Sequence, residues 1–70
     1  MITLTKLDQS PLLINYEAIK YAEAIPDTHI IFTNGDSVIV RESLEEVERR
    51  VIELRARVLD RARTLSSGAP

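Results

Sequence analysis

The stretch THIIFTNGDSVIVRESLEE, residues 28–46, contains the strongest folding pattern in the chain. Two apolar runs flank Asn34 and Gly35, the residue types that best tolerate the positive φ angles at both central positions of a type I′ turn. The second run leads into a capping-box pattern, in which the Ser43 hydroxyl accepts from the Glu46 amide and the Glu46 carboxylate reaches back. The stretch therefore predicts a β-hairpin with a two-residue Asn-Gly turn, followed directly by a helix.

The residues before this hairpin predict further strands. MITLTKL alternates apolar and polar residues, which is typical of a half-buried strand, and the turn residues DQSP separate it from the aliphatic LLIN. Residues 16–25 fit two structures, because their Ala, Glu and Lys content favours a helix while their alternation also allows a strand. The residues alone leave both structures open.

Together these elements predict an α+β fold: a small antiparallel β-sheet of four to five short strands, followed by one long C-terminal helix from Leu44 to about Arg63. We expect a single domain over residues 1–65 and a disordered tail over residues 66–70, because chain ends without a packing pattern usually fray. If residues 18–25 are extended, the predicted strands are residues 2–7, 12–15, 18–25, 28–33 and 36–41.

Length and composition describe a small globular chain with a weak net charge. Its 70 residues are 44% hydrophobic and 29% charged, with a net charge of −2 and no cysteine. This balance does not favour binding to nucleic acid or to an anionic membrane, and it excludes a disulfide or a Cys-based metal site. No stretch approaches the ~20 apolar residues of a membrane span, and the first residues lack a secretory pattern. We expect a cytoplasmic protein without membrane insertion, and small scaffolds of this kind often gain stability by oligomerising.

Residue types that carry catalysis or bind metals are sparse. His29 is the only histidine, and no GxSxG pattern surrounds any serine, including Ser43, which a helix cap explains. Gly35 and Gly68 are the only glycines, so no glycine-rich loop could cradle a phosphate. We expect no enzymatic activity, no catalytic residue, no metal site and no cofactor.

The predicted helix has a wider apolar surface than one sheet can cover. About twenty helical residues span ~30 Å, whereas the strands span ~20 Å, so the second half of the helix should extend beyond the sheet. We predict a contact with a second copy or another protein at Ile52, Arg55, Val58 and Leu59. The alternative is that these are scattered surface aliphatics, which are common. The main apolar stripe has 3,4 spacing and comprises Leu44, Val47, Val51, Leu54, Val58, Ala62 and Leu65.

Charged residues are sorted along the helix. Glutamates concentrate near its start and arginines toward its end, as the helix dipole favours. Neighbouring acidic and basic lines usually mark a solvated face with weak ion pairs, but they can also orient helices in an oligomer. The acidic line comprises Glu46, Glu53 and Asp60, and the basic line comprises Arg50, Arg57 and Arg61.

The order of these motifs resembles the pattern of the small flagellar protein family FlbD, whose swarming-motility member is SwrD. MITLTKL, INYEAI and IPDTHIIFTNGDSVIVRESLEEV follow that pattern in order and without gaps from residue 1 to about residue 52. The chain has Asp8-Gln9-Ser10 where the family often has Asn-Gly, and its Arg-rich continuation after Glu53 is not part of the shared pattern. The matching positions are Met1, Ile2, Leu4, Thr5, Leu7, Asn15, Ile19, Pro26, Asp27, Thr28, Asn34, Gly35, Val40, Glu42, Ser43 and Val47.

The resemblance implies a non-enzymatic cytoplasmic accessory of bacterial flagellar motility, linked to motor power and swarming. Its implied partner is a flagellar motor or flagellar-assembly protein. From the helix surface we also expect a homo-oligomer, in which the partner is a second copy of the chain. It also implies extended structure at residues 18–25, so we predict a strand there. Residues 19–51 are more faintly similar to the end of LytTR-type DNA-binding domains, which gives a nucleic-acid-binding regulatory module as the alternative. The basic and aromatic recognition segment of those domains is absent, so nucleic acid is not the favoured partner.

Overall fold

The computed structural model describes residues 1–67 of the chain, with side chains through Arg61. It contains two small antiparallel β-sheets and one C-terminal helix, so the predicted α+β class is confirmed. The elements are β1 Ile2–Thr5, β2 Pro11–Ile14, a 3₁₀ helix at Tyr16–Ala18, β3 Ile19–Ala24, β4 Thr28–Phe32, β5 Ser37–Val40 and α1 Leu44–Ser67.

Helix α1 ends later than predicted. It continues through Ser67 instead of ending near Arg63. The residues between these points are compatible with a helix, and the first strong helix breaker is Gly68. The predicted tail over residues 66–70 therefore begins inside the helix, and its last residues, 68–70, lie outside the described residues.

The strands form two sheets instead of the single predicted sheet. β1 pairs with β2, while β4 lies between β3 and β5 in a three-stranded sheet. The sheets meet at an isolated bridge between Lys6 and Val40 and at a hydrogen bond from the Arg41 amide to the Thr5 carbonyl (2.8 Å). A continuous ladder does not form there, because Lys6 already belongs to the turn in which its amide bonds to the Ser10 carbonyl (2.9 Å).

The core is built from aliphatic side chains of both sheets and of the first half of α1. Within the three-stranded sheet, Ile30 is fully buried opposite half-buried Val38, and the next inward position of β4 is half-buried Phe32. Burying a large aliphatic side chain contributes about 1.5–3 kcal/mol. The buried apolar residues are Ile2, Leu4, Ile14, Ile30, Val40 and Val47.

Residues 16–25 combine a short turn with the predicted strand. The strand begins at Ile19 and pairs antiparallel with β4. Before it, the Asn15 side chain accepts a hydrogen bond from the Glu17 amide (3.1 Å), and the Ala18 amide bonds to the Asn15 carbonyl (3.0 Å). This Asn-capped 3₁₀ turn was not predicted, although Asn at such a position is a common turn initiator.

The loop between β4 and β5 is not the predicted type I′ turn. The Gly35 amide bonds to the Phe32 carbonyl (3.0 Å), and the Phe32 amide bonds to the Asp36 carbonyl (2.8 Å). Gly35 has a φ of 94°, but Asn34 is not among the residues with positive φ, which a type I′ turn requires. Asn34 instead accepts a hydrogen bond from the Asp36 amide through Oδ1 (2.9 Å). The connection is a three-residue loop that closes on one left-handed residue.

The loop between β1 and β2 repeats this arrangement with different residues. The Gln9 amide bonds to the Lys6 carbonyl (3.0 Å), and Asp8 Oδ1 accepts from the Ser10 amide (3.0 Å). Gln9 occupies the position that corresponds to Gly35, with a φ of 76°. Because a left-handed conformation costs an L-residue about 1–2 kcal/mol, Gln9 is a strained position.

Replacing Gln9 by Gly should raise the free energy of unfolding by about 0.5–1 kcal/mol, since the relief of Cβ strain exceeds the added entropy of the unfolded chain. Gly35→Ala should lower it by about 1 kcal/mol. A Cβ at Gly35 would meet no atom within 4 Å, so that loss is conformational. Urea unfolding followed by circular dichroism measures both changes. Shifts in the same direction for the two variants would contradict the shared loop geometry.

Candidate interaction surface

The start of α1 is fixed by a serine cap. The Ser43 hydroxyl accepts a hydrogen bond from the Glu46 amide (3.1 Å), which is the first half of the capping box. The Glu46 carboxylate does not reach back, but accepts from the side chains of Arg49 and Arg50, with a distance of 3.0 Å to Arg50 Nε. With its carboxylate engaged by these two guanidinium groups, the second half of the capping box is not formed.

The Glu42 carboxylate joins β1 to the start of α1. Its Oε1 accepts from the Thr5 amide and its Oε2 from the Thr5 hydroxyl, both at 2.8 Å. Arg50 Nη1 lies 3.5 Å from Oε2 and also donates to the Thr3 carbonyl. The Glu42 side chain is only 10% exposed. These contacts fix the direction in which α1 leaves the sheets.

Two effects act on the Glu42 carboxyl in opposite directions. Burial raises its pKa, but the hydrogen bonds from the Thr5 amide and hydroxyl, aided by the charge of Arg50, lower it by more. The net pKa lies below the ordinary value of 4.5. The folded state favours the ionised carboxylate more than the unfolded chain does. These contacts therefore stabilise the fold above pH 4.5, and the stabilisation is lost as the pH falls below 4.5.

Helix α1 leaves the sheets midway along its length. Val47 is buried, and Val51 and Leu54 are half-buried against the core. Every side chain described from residue 55 to residue 61 is exposed, including Val58, which continues the buried stripe and is 52% exposed. The burial of these residues agrees with the prediction that the second half of the helix extends beyond the sheet.

The four residues predicted as an interaction site lie on this extended part and just before it. Ile52 is 57% exposed and Leu59 is 63% exposed. They are seven residues apart, close to two helical turns, so they share one side of α1. Arg55 lies between that side and the buried stripe, and Val58 continues the stripe itself. We call Ile52, Arg55, Val58 and Leu59 the helix face.

A groove adjoins the helix face and was not predicted from the sequence. It has a volume of about 580 Å³ and separates α1 from the 3₁₀ helix and the start of β3. Its apolar residues are half-buried or buried, whereas Glu17 is exposed at its rim. The groove shares Arg55 with the helix face, so the two form a continuous surface. Its lining residues are Tyr16, Glu17, Ile19, Val47, Val51 and Arg55.

Ion pairs run along the side of α1 away from the helix face. Arg49 Nη1 lies 2.7 Å from Glu53 Oε1, and the two side chains are 57% and 52% exposed. Hydrogen bonds from Arg49 and then Arg50 lower the pKa of the Glu46 carboxyl. Exposed pairs of this kind stabilise a helix only weakly. Their position agrees with a solvated face for this side of the helix.

The remaining chemical candidate, His29, lies half-buried in β4 opposite Glu23 and Ile39. Within the part of the chain that the structure describes, no three His, Cys, Asp or Glu side chains are grouped so as to hold a metal ion. Among residues 1–67, no helix has the length and apolar character needed to cross a membrane.

The strand order, the capped helix and the extended helix face define a small α+β protein with an apolar surface on its last element. The family model described as FlbD, flagellar and swarming motility proteins, matches residues 1–59. This is most of the chain, and the chain therefore belongs to that family. The match extends past the resemblance noted at residue 52 and includes the whole helix face. No curated protein and no solved structure matches the chain significantly.

Glu42→Gln should lower the free energy of unfolding at pH 7 by about 1–2 kcal/mol, because charge-assisted hydrogen bonds to Thr5 become neutral ones. The stability advantage of the parent chain over the variant should disappear as pH falls below 4.5, because the variant has no carboxyl to protonate at that position. Urea midpoints at pH 7, 5 and 3.5 measure the effect, with Glu48→Gln, at an exposed position of α1, as the control. Equal pH dependence in the parent and Glu42→Gln would rule out this carboxylate as the source.

Proposed function

We propose that the chain is a non-enzymatic, cytoplasmic accessory protein of bacterial flagellar motility that acts through protein–protein contacts. Membership of the family of flagellar and swarming motility proteins carries the motility assignment. The proposed target is a component of the flagellar motor or of its assembly apparatus. In this role the chain changes the output or assembly of the machine by binding it and performs no chemical step.

The helix face supports contact as the mode of action. Three large aliphatic side chains, Ile52, Val58 and Leu59, are each more than half exposed on a short segment of one helix. When a partner covers such exposed side chains, their removal from water lowers the free energy of the complex. The adjoining groove offers the same partner apolar walls at Tyr16 and Ile19.

The charges of the helix face are suited to a protein partner. Arg55 is the basic residue within the apolar surface, and Glu17 stands at the rim of the groove. A mixed surface of apolar groups with both signs of charge is typical of protein interfaces, where aromatic residues and arginine are enriched. Nucleic-acid binding instead requires a concentrated basic patch, and the arginines of α1 alternate with acids.

The double variant Ile52→Gln and Leu59→Gln should reduce swarming to the level of a strain that lacks the gene. Glutamine keeps a good helix former at both positions while removing the apolar contact. The matched control is Glu53→Gln with Asp60→Gln, which places the same side chains at the same spacing on exposed positions of the solvated side. Swarm expansion and the torque of tethered cells are measured in the complemented deletion strain.

The control double variant should swarm like the parent, because exposed ion pairs contribute little to stability. Protein levels and unfolding curves of both double variants establish that they fold. Normal swarming of a folded Ile52→Gln, Leu59→Gln variant would refute the role of the helix face. Flagellar transcript levels should not change in either strain. Changed transcripts together with salt-sensitive binding to promoter DNA would refute the proposal in favour of a nucleic-acid-binding regulator.

A further inference from the structure

We infer that Asn34 is a site of spontaneous covalent modification, at which the neighbouring Gly35 nitrogen converts the side-chain amide to an acid, and that the folded loop restrains this reaction. The inference is independent of the helix face and of the proposed function. It rests on the hydrogen bonds at the tip of the loop between β4 and β5 and on a comparison with Asn15, the second asparagine of the chain.

The reaction needs only groups of this loop and water. The Gly35 backbone nitrogen attacks the Asn34 Cγ atom, so that a new N–Cγ bond forms and the Cγ–Nδ2 bond breaks. The side-chain nitrogen leaves as ammonia and takes the proton of the Gly35 amide with it. Water then opens the resulting five-membered ring at either of its two C–N bonds. Opening at Cγ gives aspartate, and opening at the backbone carbonyl gives isoaspartate, whose main chain runs through the former side chain.

The two asparagines differ in the residue whose nitrogen would attack. Asn34 is followed by Gly35, whereas Asn15 is followed by Tyr16, whose large side chain crowds the nitrogen as the ring closes. A Cβ atom built on Gly35 would meet nothing within 4 Å beyond its chain neighbours, so the ring has room to form. Both asparagines accept a hydrogen bond from the amide two residues ahead, so this bond does not distinguish them. Asn34 is therefore the reactive asparagine, and Asn15 is an internal reference.

Hydrogen bonds of the folded loop engage every group that must react. The attacking nitrogen of Gly35 donates to the Phe32 carbonyl (3.0 Å). At the side chain, Asn34 Oδ1 accepts from the Asp36 amide (2.9 Å), and the leaving nitrogen Nδ2 donates to Asp36 Oδ2 (3.0 Å). Ring closure removes the proton from the Gly35 nitrogen and turns the planar side-chain amide into a tetrahedral centre. Both changes break bonds of the folded loop, so the reaction proceeds mainly after the loop opens.

The modified loop should be less stable than the original one. An acid at position 34 no longer donates to Asp36 and places a second negative charge beside it. Isoaspartate also adds a carbon atom to the main chain inside the loop that the bond from the Phe32 amide to the Asp36 carbonyl closes (2.8 Å). The chromatographically separated isoaspartate form should therefore unfold at a lower urea concentration than the parent chain. Equal urea midpoints would contradict this consequence.

Peptide mapping by mass spectrometry measures the conversion of both asparagines in one sample, after incubation in mildly alkaline buffer. In guanidinium chloride, Asn34 should convert about tenfold faster than Asn15, because glycine leaves the attacking nitrogen open. Gly35→Ala should remove most of that difference, and the denaturant makes this result independent of folding. In native buffer, Asn34 should convert about tenfold more slowly than in guanidinium chloride, the factor expected when hydrogen bonds of ordinary strength must open first.

Asp36→Ala tests the restraint itself. This variant removes the acceptor of Asn34 Nδ2 but keeps the backbone amide that bonds to Oδ1. In native buffer it should convert Asn34 about threefold faster than the parent chain, and in guanidinium chloride it should convert at the parent rate. The matched control is Asp60→Ala, which removes an exposed carboxylate from α1 and should leave both rates unchanged.

Three results would overturn the inference. Equal rates for Asn34 and Asn15 in guanidinium chloride exclude Asn34 as the site. Conversion in native buffer that is as fast as in guanidinium chloride, or faster, excludes the restraint, because the Asp36 amide would then activate the Cγ carbonyl as an oxyanion donor does. An unchanged native rate in Asp36→Ala excludes the Nδ2 bond as the source of the restraint.

Discussion

The carboxylate of Glu42 is the point at which the separate parts of this small fold are joined. It stands between β5 and α1 in the chain, and it accepts two hydrogen bonds from Thr5 at the end of β1. The Arg41 amide next to it bonds to the Thr5 carbonyl. Within residues 1–67 the two sheets share a single bridge. Without these bonds β1 would be held to β5 and α1 by that bridge, by the Arg50 bond to the Thr3 carbonyl and by apolar contact, which has no preferred direction. Directional bonds at this junction determine where the helix points.

The strand pattern and the helix start could be predicted because both depend on neighbours in sequence. The alternation in MITLTKL predicted the first strand, and Ser43 marked the helix cap. The junction could not be predicted, because Thr5 and Glu42 are 37 positions apart in the sequence and no pattern relates them. Glu42 looked like one more acidic residue at a helix start. The groove at Tyr16 depends likewise on how the 3₁₀ turn approaches α1, and no local pattern encodes that distance.

The hairpin turn was predicted wrongly for an instructive reason. Asn34-Gly35 is the preferred pair of a two-residue type I′ loop, but Gly is equally suited to the last position of a three-residue loop. The strand register decides between them: Ile31 lies opposite Ser37, so the loop is too long for the two-residue turn. The first loop shows that the geometry does not even need glycine, since Asp8 and Gln9 form it. The Asx hydrogen bond, which Asp8 and Asn34 both make, is the feature that the two sequences share.

The division of α1 into a docked and an exposed half lets one helix serve both folding and contact. A helix shorter than about 12–15 residues is marginal in water because nucleation is costly. The docked turns around Val47, fixed by Ser43 and Arg50, supply the nucleus, and the exposed half then needs only propagation. Its Ala, Arg and Leu content favours propagation, and the Arg49 pairs with Glu46 and Glu53 span the junction between the halves. The exposed half is thus helical without a sheet beneath it, so Ile52, Val58 and Leu59 keep the spacing of a helix. A surface ordered in advance loses less conformational entropy when it is covered than a mobile segment would.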